Sequence, residues 1–180
     1  MLIQASNLIN RPVYCLETKS AVGRILDIII DPKNGKLAGL KVSPSFLSPY
    51  KILSSKDIIA VQPNFVAINK ESALVKPEEV IPLKKIIDSN IRVLGNWAKT
   101  KDGEWLGKID DLVIDATTLS IIKYYIKGMA FGFRTQPFLG TFKENRIILA
   151  EDIVSINKDA IIVKSEPEIK EKVTVPELAS

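Results

Sequence analysis

Two aspartates are the residues of this sequence with the strongest claim to acid–base chemistry. Asp27 and Asp111 each lie inside an apolar run, in RILDIII and in KIDDLVI. A carboxylate in such a setting either takes a raised pKa and acts as a general acid or base, or it accepts backbone N–H groups. Because both aspartates occur at the same place in a repeated pattern, we favour the second role, in which each ties a strand to its surroundings.

The absence of histidine removes most other routes to catalysis. No histidine occurs among the 180 residues, which excludes Ser-His and Cys-His nucleophile pairs and histidine metal sites. The one cysteine, Cys15, lies in an apolar segment and is typical of a core thiol. The nine glycines are dispersed and form neither GxGxxG nor a phosphate-binding GxxxxGK loop. We therefore expect no catalytic residues, no metal and no cofactor.

The segment KGMAFGFRTQ carries residue types that are enriched at protein interfaces. Met129, Phe131, Phe133 and Arg134 lie there among glycines, and Met, aromatic residues and Arg are common in interface cores. Two interpretations stay open: a hairpin that presents these side chains to a partner, or a hairpin whose aromatics fill a joint between two domains. Stacking of single-stranded RNA on the aromatics is a further use of such a segment.

Trp97 and Trp105 flank AKTKDGE, a predicted turn. An exposed pair of tryptophans at a turn could bind a ligand. Burial in the interior of a small barrel is the commoner arrangement, and it is the one we expect here.

The two aspartates lie on a pattern that occurs twice. GRILDIIIDPKNGKLAGLKV (residues 23–42) returns without a gap as GKIDDLVIDATTLSIIKYYI (residues 107–126). In each copy an apolar strand runs to an aspartate-led turn and a second apolar strand returns, which predicts a β-hairpin. Both faces of the hairpin are largely apolar, so we expect it to be covered on both sides. The repeated structural positions are Gly23, Asp27 and Asp31 in the first copy and Gly107, Asp111 and Asp115 in the second.

Simple pairing predicts which residues of the first hairpin lie opposite each other. Gly35 is expected to supply a positive φ at the turn. The predicted pairs are Ile25 with Val42, Asp27 with Leu40, and Ile30 with Leu37.

The repeat continues beyond the hairpin. FLSPYK (residues 46–51) matches FLGTFK (residues 138–143), and KDIIAVQPNFVAI (residues 56–68) matches EDIVSINKDAIIV (residues 151–163). Each copy therefore predicts about six short strands, typical of a small antiparallel barrel. We predict an all-β fold with two tandem small antiparallel β-barrels at residues 1–75 and 90–164. A linker at residues 76–89 with one helical turn joins them, and residues 165–180 form a mobile tail.

The order and recurrence of these segments resemble the PRC-barrel family. The resemblance rests on the Gly-basic-Ile start, the two aspartates that follow it, and the Phe-Leu and Asp-Ile segments quoted above. This family is a small β-barrel found in the H subunit of photosynthetic reaction centres and in the C-terminal half of a ribosome maturation factor. In both settings the barrel binds a larger assembly, so the resemblance implies a tandem PRC-barrel protein that is not an enzyme.

Composition predicts a globular protein of the cytoplasm. Hydrophobic residues make up 46% of the chain, and the net charge of +4 comes from scattered Lys and Arg. We find no run long enough for a transmembrane helix and no secretory signal. We predict a protein-binding adaptor with a protein partner, and a homodimer where apolar surface stays exposed. The alternative is an RNA- or ribosome-associated processing or maturation factor.

Overall fold

The computed structural model describes residues 1–45, 47–128 and 146–164. Within these ranges the chain is mostly β, with fourteen strands, one α-helix and several short 3-10 turns. None of the helices in this part of the chain is both long and apolar enough to cross a membrane.

The first sheet has seven strands, and they follow the order β6-β7-β2-β3-β4-β5-β8. All neighbours are antiparallel except β2 and β7, which are parallel. The strands are β2 (Pro12–Cys15), β3 (Ser20–Asp31), β4 (Lys36–Ser43), β5 (Lys51–Ser54), β6 (Ile58–Val61), β7 (Val66–Ile68) and β8 (Leu74–Val75).

The second sheet repeats this topology. Its order, β12-β11-β10-β9-β14-β13, is that of β5-β4-β3-β2-β7-β6 in the first sheet, and β9 and β14 are again parallel. In the described residues no pairing joins the two ends of either sheet. The predicted β fold is therefore confirmed in its coarser form, while two closed tandem barrels stay a prediction. The strands are β9 (Trp97–Thr100), β10 (Trp105–Asp115), β11 (Ile121–Lys127), β12 (Arg146–Leu149), β13 (Ile153–Ile156) and β14 (Ile161–Val163).

The register of the first hairpin differs from the prediction in its middle. Asp27 lies opposite Lys41 rather than Leu40, because a β-bulge between Ile25 and Asp27 makes Leu26 an extra residue. The bulge rotates Asp27 toward the outer surface, where its side chain is 37% exposed. The second hairpin has the same irregularity between its Ile109 and Asp111. The other two predicted pairs are present, Ile25 with Val42 and Ile30 with Leu37.

Both faces of the first hairpin are covered, as expected. One face enters the main core, and helix α1 (Ile81–Asp88) covers the other. Leu83 of α1 is buried against Ile29 and Ile52. The helix is longer than the single turn predicted, and it begins with Pro82 in its first turn, where the missing N–H costs nothing.

The two sheets share one apolar core. Buried residues from both belong to a single cluster that includes Ile25, Leu40 and Leu53 from the first sheet and Ile109, Leu112, Tyr124 and Ile148 from the second. The hairpin tips also meet: Leu37 N–H donates to Leu119 O at 2.8 Å, and Ile121 N–H donates to Gly35 O at 3.1 Å. The predicted domain boundaries must therefore accommodate extensive contact between the halves.

Strand β1 (Leu2–Gln4) at the start of the chain pairs with the second sheet. It lies antiparallel to β10, with Leu2 opposite Asp115 and Gln4 opposite Val113. A 3-10 turn at Ala5–Leu8 then leads back to the first sheet. The first residues of the chain therefore complete the sheet formed by its second half.

Candidate functional site

Each bulge aspartate accepts the backbone N–H of the residue that follows it. Asp27 Oδ1 accepts from Ile28 N at 2.9 Å, and Asp111 Oδ1 accepts from Leu112 N at 2.8 Å. A bulge interrupts the ladder, so the N–H needs an acceptor other than the neighbouring strand. These are contacts of the kind that the structural role requires.

The second carboxylate oxygen is used differently in the two copies. Asp111 Oδ2 accepts from Ser6 Oγ at 2.5 Å, while Ser6 N donates to Asp111 Oδ1 at 3.0 Å. Asp27 Oδ2 instead contacts Lys41 Nζ at 3.5 Å. Asp111 thus ties the start of the chain to the second sheet, whereas Asp27 makes a surface ion pair within its own hairpin.

The turn aspartates organise the hairpin tips. Asp31 Oδ1 accepts from Lys33 N at 2.9 Å. Asp115 Oδ1 accepts from Thr117 N at 2.8 Å and from Thr118 N at 2.9 Å. The backbone hydrogen bond from Thr118, followed by the one from Thr117, lowers the pKa of Asp115. This carboxylate is therefore ionised at neutral pH and fixes the turn.

Glycine is required at positions 23 and 107 because a neighbouring strand approaches closely. A Cβ on Gly23 would lie 2.7 Å from Ser43 O, and a Cβ on Gly107 would collide with Lys127 O. Gly107 also has a φ of +136°. At the first turn Gly35 has a φ of +63°, which confirms the prediction for that position.

The two copies of the repeat differ in what pairs with the end of their long strands, β10 and β3. In the second sheet, β1 pairs with residues 113–115 of β10. The equivalent residues 29–31 of β3 have no partner strand on that side in the described part of the chain. We call this stretch the open edge. It faces the end of α1 and residues 90–94 across a groove of about 440 Å³, the β3 groove.

Corresponding hydrogen bonds explain how the groove arises. Asn10 N donates to Ile25 O at 2.8 Å, and Gly95 N donates to Ile109 O at 2.8 Å, so residue 95 takes the place of residue 10. Residues 1–8 therefore correspond to residues 86–93. Where β1 is extended and pairs with β10, its counterpart is the last turn of α1 and the Ser89 that follows it. A helix cannot extend a ladder, so the edge of β3 stays without a partner.

The β3 groove is lined by apolar side chains together with the polar or charged residues Asp27, Lys41, Asn90 and Arg92. Leu26, the extra residue of the bulge, is 48% exposed at its mouth. Arg92 is exposed and forms no salt bridge with any other described residue. Leu26, Ile86, Ile91 and Arg92 are among the side chains that line the groove.

The two tryptophans lie together on the outer face of the second sheet. The rings of Trp97 and Trp105 meet edge to face with centroids 6.0 Å apart. Lys108 Nζ lies 4.6 Å from the Trp97 centroid, and Lys99 Nζ lies 5.2 Å from that of Trp105. Trp105 is 45% exposed, so the expected burial is wrong for this residue. The predicted turn is present, but alternation along the strand turns Leu106 into the core and Trp105 outward.

Cys15, Tyr124 and Asp152 are buried titratable groups in the described residues. Cys15 is buried, as predicted for a core thiol, and its Sγ contacts Asn69 O at 3.4 Å. Hydrogen bonding from Thr18 lowers the pKa of this thiol. Burial raises the pKa of Tyr124 to about 12. In the described ranges no three His, Cys, Asp or Glu side chains lie close enough to hold a metal ion.

The predicted partner-binding residues Met129, Phe131, Phe133 and Arg134 lie outside the described residues, as does the predicted tail at 165–180. The structure shows two other surfaces, the β3 groove and the tryptophan–lysine arrangement; the sequence had indicated the two tryptophans of the second but neither their lysine neighbours nor the groove. The spacing Trp-x-Lys in β9 and Trp-x-x-Lys in β10 was the available signal for the second. No sequence signal indicated the groove. It forms because the segment that corresponds to β1 is not a strand, and the sequence pattern does not reveal this.

Comparison with known proteins bears on the first half of the chain. None of the curated proteins compared with the chain matches it. A protein-family model does match, and it covers β1 to β8 and the first residue of α1. The resemblance in the second half rests on the repeated sequence and the repeated strand order, and it stays a prediction. Residues 1–81 match the PRC-barrel domain, a small β-barrel module.

Proposed function

We propose that the chain is a non-enzymatic adaptor that binds an extended segment of a partner protein along the open edge of β3. The observation that supports it is the unequal repeat: β10 holds a strand at the position where β3 holds none. An unpaired sheet edge is a template for another strand. The chain itself supplies an example of the occupant, since β1 fills the corresponding edge.

The chemistry of the groove specifies the segment that would fit. In β-strand addition, main-chain hydrogen bonds supply affinity and alternate side chains enter pockets that supply specificity. Leu26, Ile86 and Ile91 favour apolar side chains on the groove face of the segment. Arg92 favours a carboxylate at one end of it. Pairing of the β1 kind would place the segment antiparallel to β3.

The same proposal includes the architecture and the compartment. The shared strand order of the two sheets supports two PRC-barrel-like domains in tandem. A single cysteine, buried and unpaired, is typical of a reducing compartment, and we place the adaptor in the cytoplasm.

Leu26→Glu tests the groove. The substitution puts a charge at the groove mouth without disturbing the core, because Leu26 is half-exposed. Val154→Glu is the matched control, since Val154 is 45% exposed on the second sheet. The tagged wild type and both variants are used for affinity purification from a nuclease-treated lysate of the source organism, and retained proteins are compared by mass spectrometry.

The proposal expects one or more proteins retained by the wild type and by Val154→Glu but at least tenfold depleted with Leu26→Glu. Arg92→Glu should reduce the retention of the same proteins. Retention by all three proteins alike, or by none, contradicts a binding site at the open edge. Thermal melts of the variants exclude loss of fold as the cause.

A further inference from the structure

A second surface has chemistry of a different kind, and we propose that it binds single-stranded nucleic acid. The surface is the outer face of β9, β10 and β11, formed by Trp97, Lys99, Trp105, Lys108 and Lys127. We call it the tryptophan–lysine face. The inference is independent of the proposed adaptor function and of the open edge.

Strand register places three of these residues in one row. Trp97 lies opposite Lys108, and Lys108 lies opposite Lys127 on the next strand. Residues directly opposite in antiparallel strands share a face, with Cβ atoms roughly 5 Å apart. Two lysines at this separation repel each other, which costs stability unless an anion lies between them.

A second row lies beside the first. Lys99 is opposite Trp105, and both point to the same side as the first row because Trp97 and Lys99 are two residues apart in β9. The face thus alternates ring and ammonium group over three strands. Lys108 and Lys127 are both exposed.

The lysines of this face form no salt bridges with neighbouring carboxylates. None of the salt bridges among the described residues includes Lys99, Lys108 or Lys127. Glu104, the nearest acid in sequence to Trp105, pairs instead with Arg146 at 3.8 Å. Asp110 is exposed two residues after Lys108 in β10, but it forms no salt bridge with these lysines. Three lysines therefore outnumber the one such carboxylate on this side of the strand, and an anionic ligand is favoured.

The fold itself does not require this face. The corresponding row of the first sheet holds Pro12, Arg24 and Ser43, with Pro12 opposite Arg24 and Arg24 opposite Ser43. The position of Trp105 is held by Ala21. The same topology therefore forms without tryptophans or paired lysines.

Aromatic rings beside spaced cations favour a single-stranded nucleic acid over other anions. Bases stack on exposed rings while lysines contact the phosphates, and this binding tolerates different sequences. In duplex DNA the bases are already stacked on each other and are not free to stack on Trp105. An anionic membrane surface would also accept tryptophans at the headgroup level beside lysines, so vesicles are the competing ligand in the assay.

Intrinsic fluorescence gives a direct assay, because the only two tryptophans of the chain lie on this face. The full chain is titrated with oligo(U), oligo(dT), a DNA duplex, and vesicles of phosphatidylcholine with phosphatidylglycerol. We expect quenching by both single strands and weaker binding to the duplex. Stacking contributes about 1–3 kcal/mol per base, so Trp105→Ala should weaken oligo(U) binding roughly fivefold or more.

Lysine variants test the row itself. The slope of log K against log salt is negative, and Lys108→Gln combined with Lys127→Gln should make it shallower by about 1.4, at about 0.7 per phosphate contact. Lys33→Gln combined with Lys70→Gln removes the same charge from exposed positions of the first half and should leave the slope unchanged. Because these are surface changes, the lysine pair stays informative even if Trp105→Ala proves unstable.

Three results would overturn the inference. The first is an absence of quenching by either single strand at low salt. The second is an equal loss of affinity in the two lysine double variants, which would indicate non-specific attraction. The third is binding to the anionic vesicles without binding to oligo(U) or oligo(dT), which would assign the face to a membrane surface.

Discussion

At the scale of single residues, the two bulge aspartates share one hydrogen bond and differ in their other contacts. Each satisfies the N–H of the next residue, which a bulge would otherwise leave without an acceptor. Only Asp111 also accepts two hydrogen bonds from Ser6. The shared contact belongs to the hairpin, and the unshared one belongs to the way in which the two halves are joined.

Asp111→Asn should therefore destabilise the protein more than Asp27→Asn. An asparagine at 111 keeps one acceptor oxygen and directs an NH₂ group toward Ser6 or the Leu112 N–H, so at least one charge-assisted hydrogen bond is lost. Such a loss costs about 1–3 kcal/mol, or a few degrees in Tm for a chain of roughly this size. The second oxygen of Asp27 contacts only Lys41, and a surface ion pair contributes about 0–1 kcal/mol.

Thermal unfolding followed by circular dichroism measures both aspartate variants. Equal shifts in Tm would contradict the unequal roles. A loss of partner binding in Asp27→Asn with an unchanged Tm would instead point to a functional role for that carboxylate.

At the scale of secondary-structure elements, hairpins and strands were predictable where short stretches of sequence determine them. Aspartate-led turns and alternating apolar residues predicted both hairpins, and the repeat predicted six strands in each copy. The bulge after Ile25 was not predictable from pattern, because an extra residue in a strand changes neither its composition nor its length noticeably. Likewise α1 competes with the extended form that its counterpart β1 adopts, and packing of Leu83 on Ile29 decides between them.

Three glycine-to-alanine variants separate the reasons for glycine in these elements. Gly23→Ala meets the neighbouring backbone at an ordinary φ, and Gly103→Ala has open space but a φ of +91°. Gly107→Ala combines the clash with a φ of +136°. We expect Gly107→Ala to be the most destabilising, by more than about 1 kcal/mol, because neither the backbone nor the neighbour can adjust cheaply. Urea unfolding measures the order, and a Gly103→Ala loss as large as that of Gly107→Ala would contradict it.

On the scale of the whole molecule, the two halves of the repeat are joined by contacts between distant parts of the sequence. One apolar cluster spans both sheets, β1 from the start of the chain completes the second sheet, and the hairpin tips exchange backbone hydrogen bonds. The pairing of β1 with β10 was beyond sequence reasoning, since its partner lies more than a hundred residues away. The β3 groove was beyond it for the same reason.

Such a shared core predicts that the two halves unfold together. The chain carries a natural probe in each half: Cys15 is buried in the first sheet, and the tryptophans lie on the second. Reactivity of the Cys15 thiol and tryptophan fluorescence, measured along one urea series, should give coincident midpoints, which is the test of a two-state transition. Two barrels joined only by a linker would give separate midpoints, and a Cys15 transition well below that of the tryptophans would show that the first half opens alone. Ser6→Ala removes one hydroxyl contact between the halves, so it should shift both midpoints by the same amount if the transition is shared.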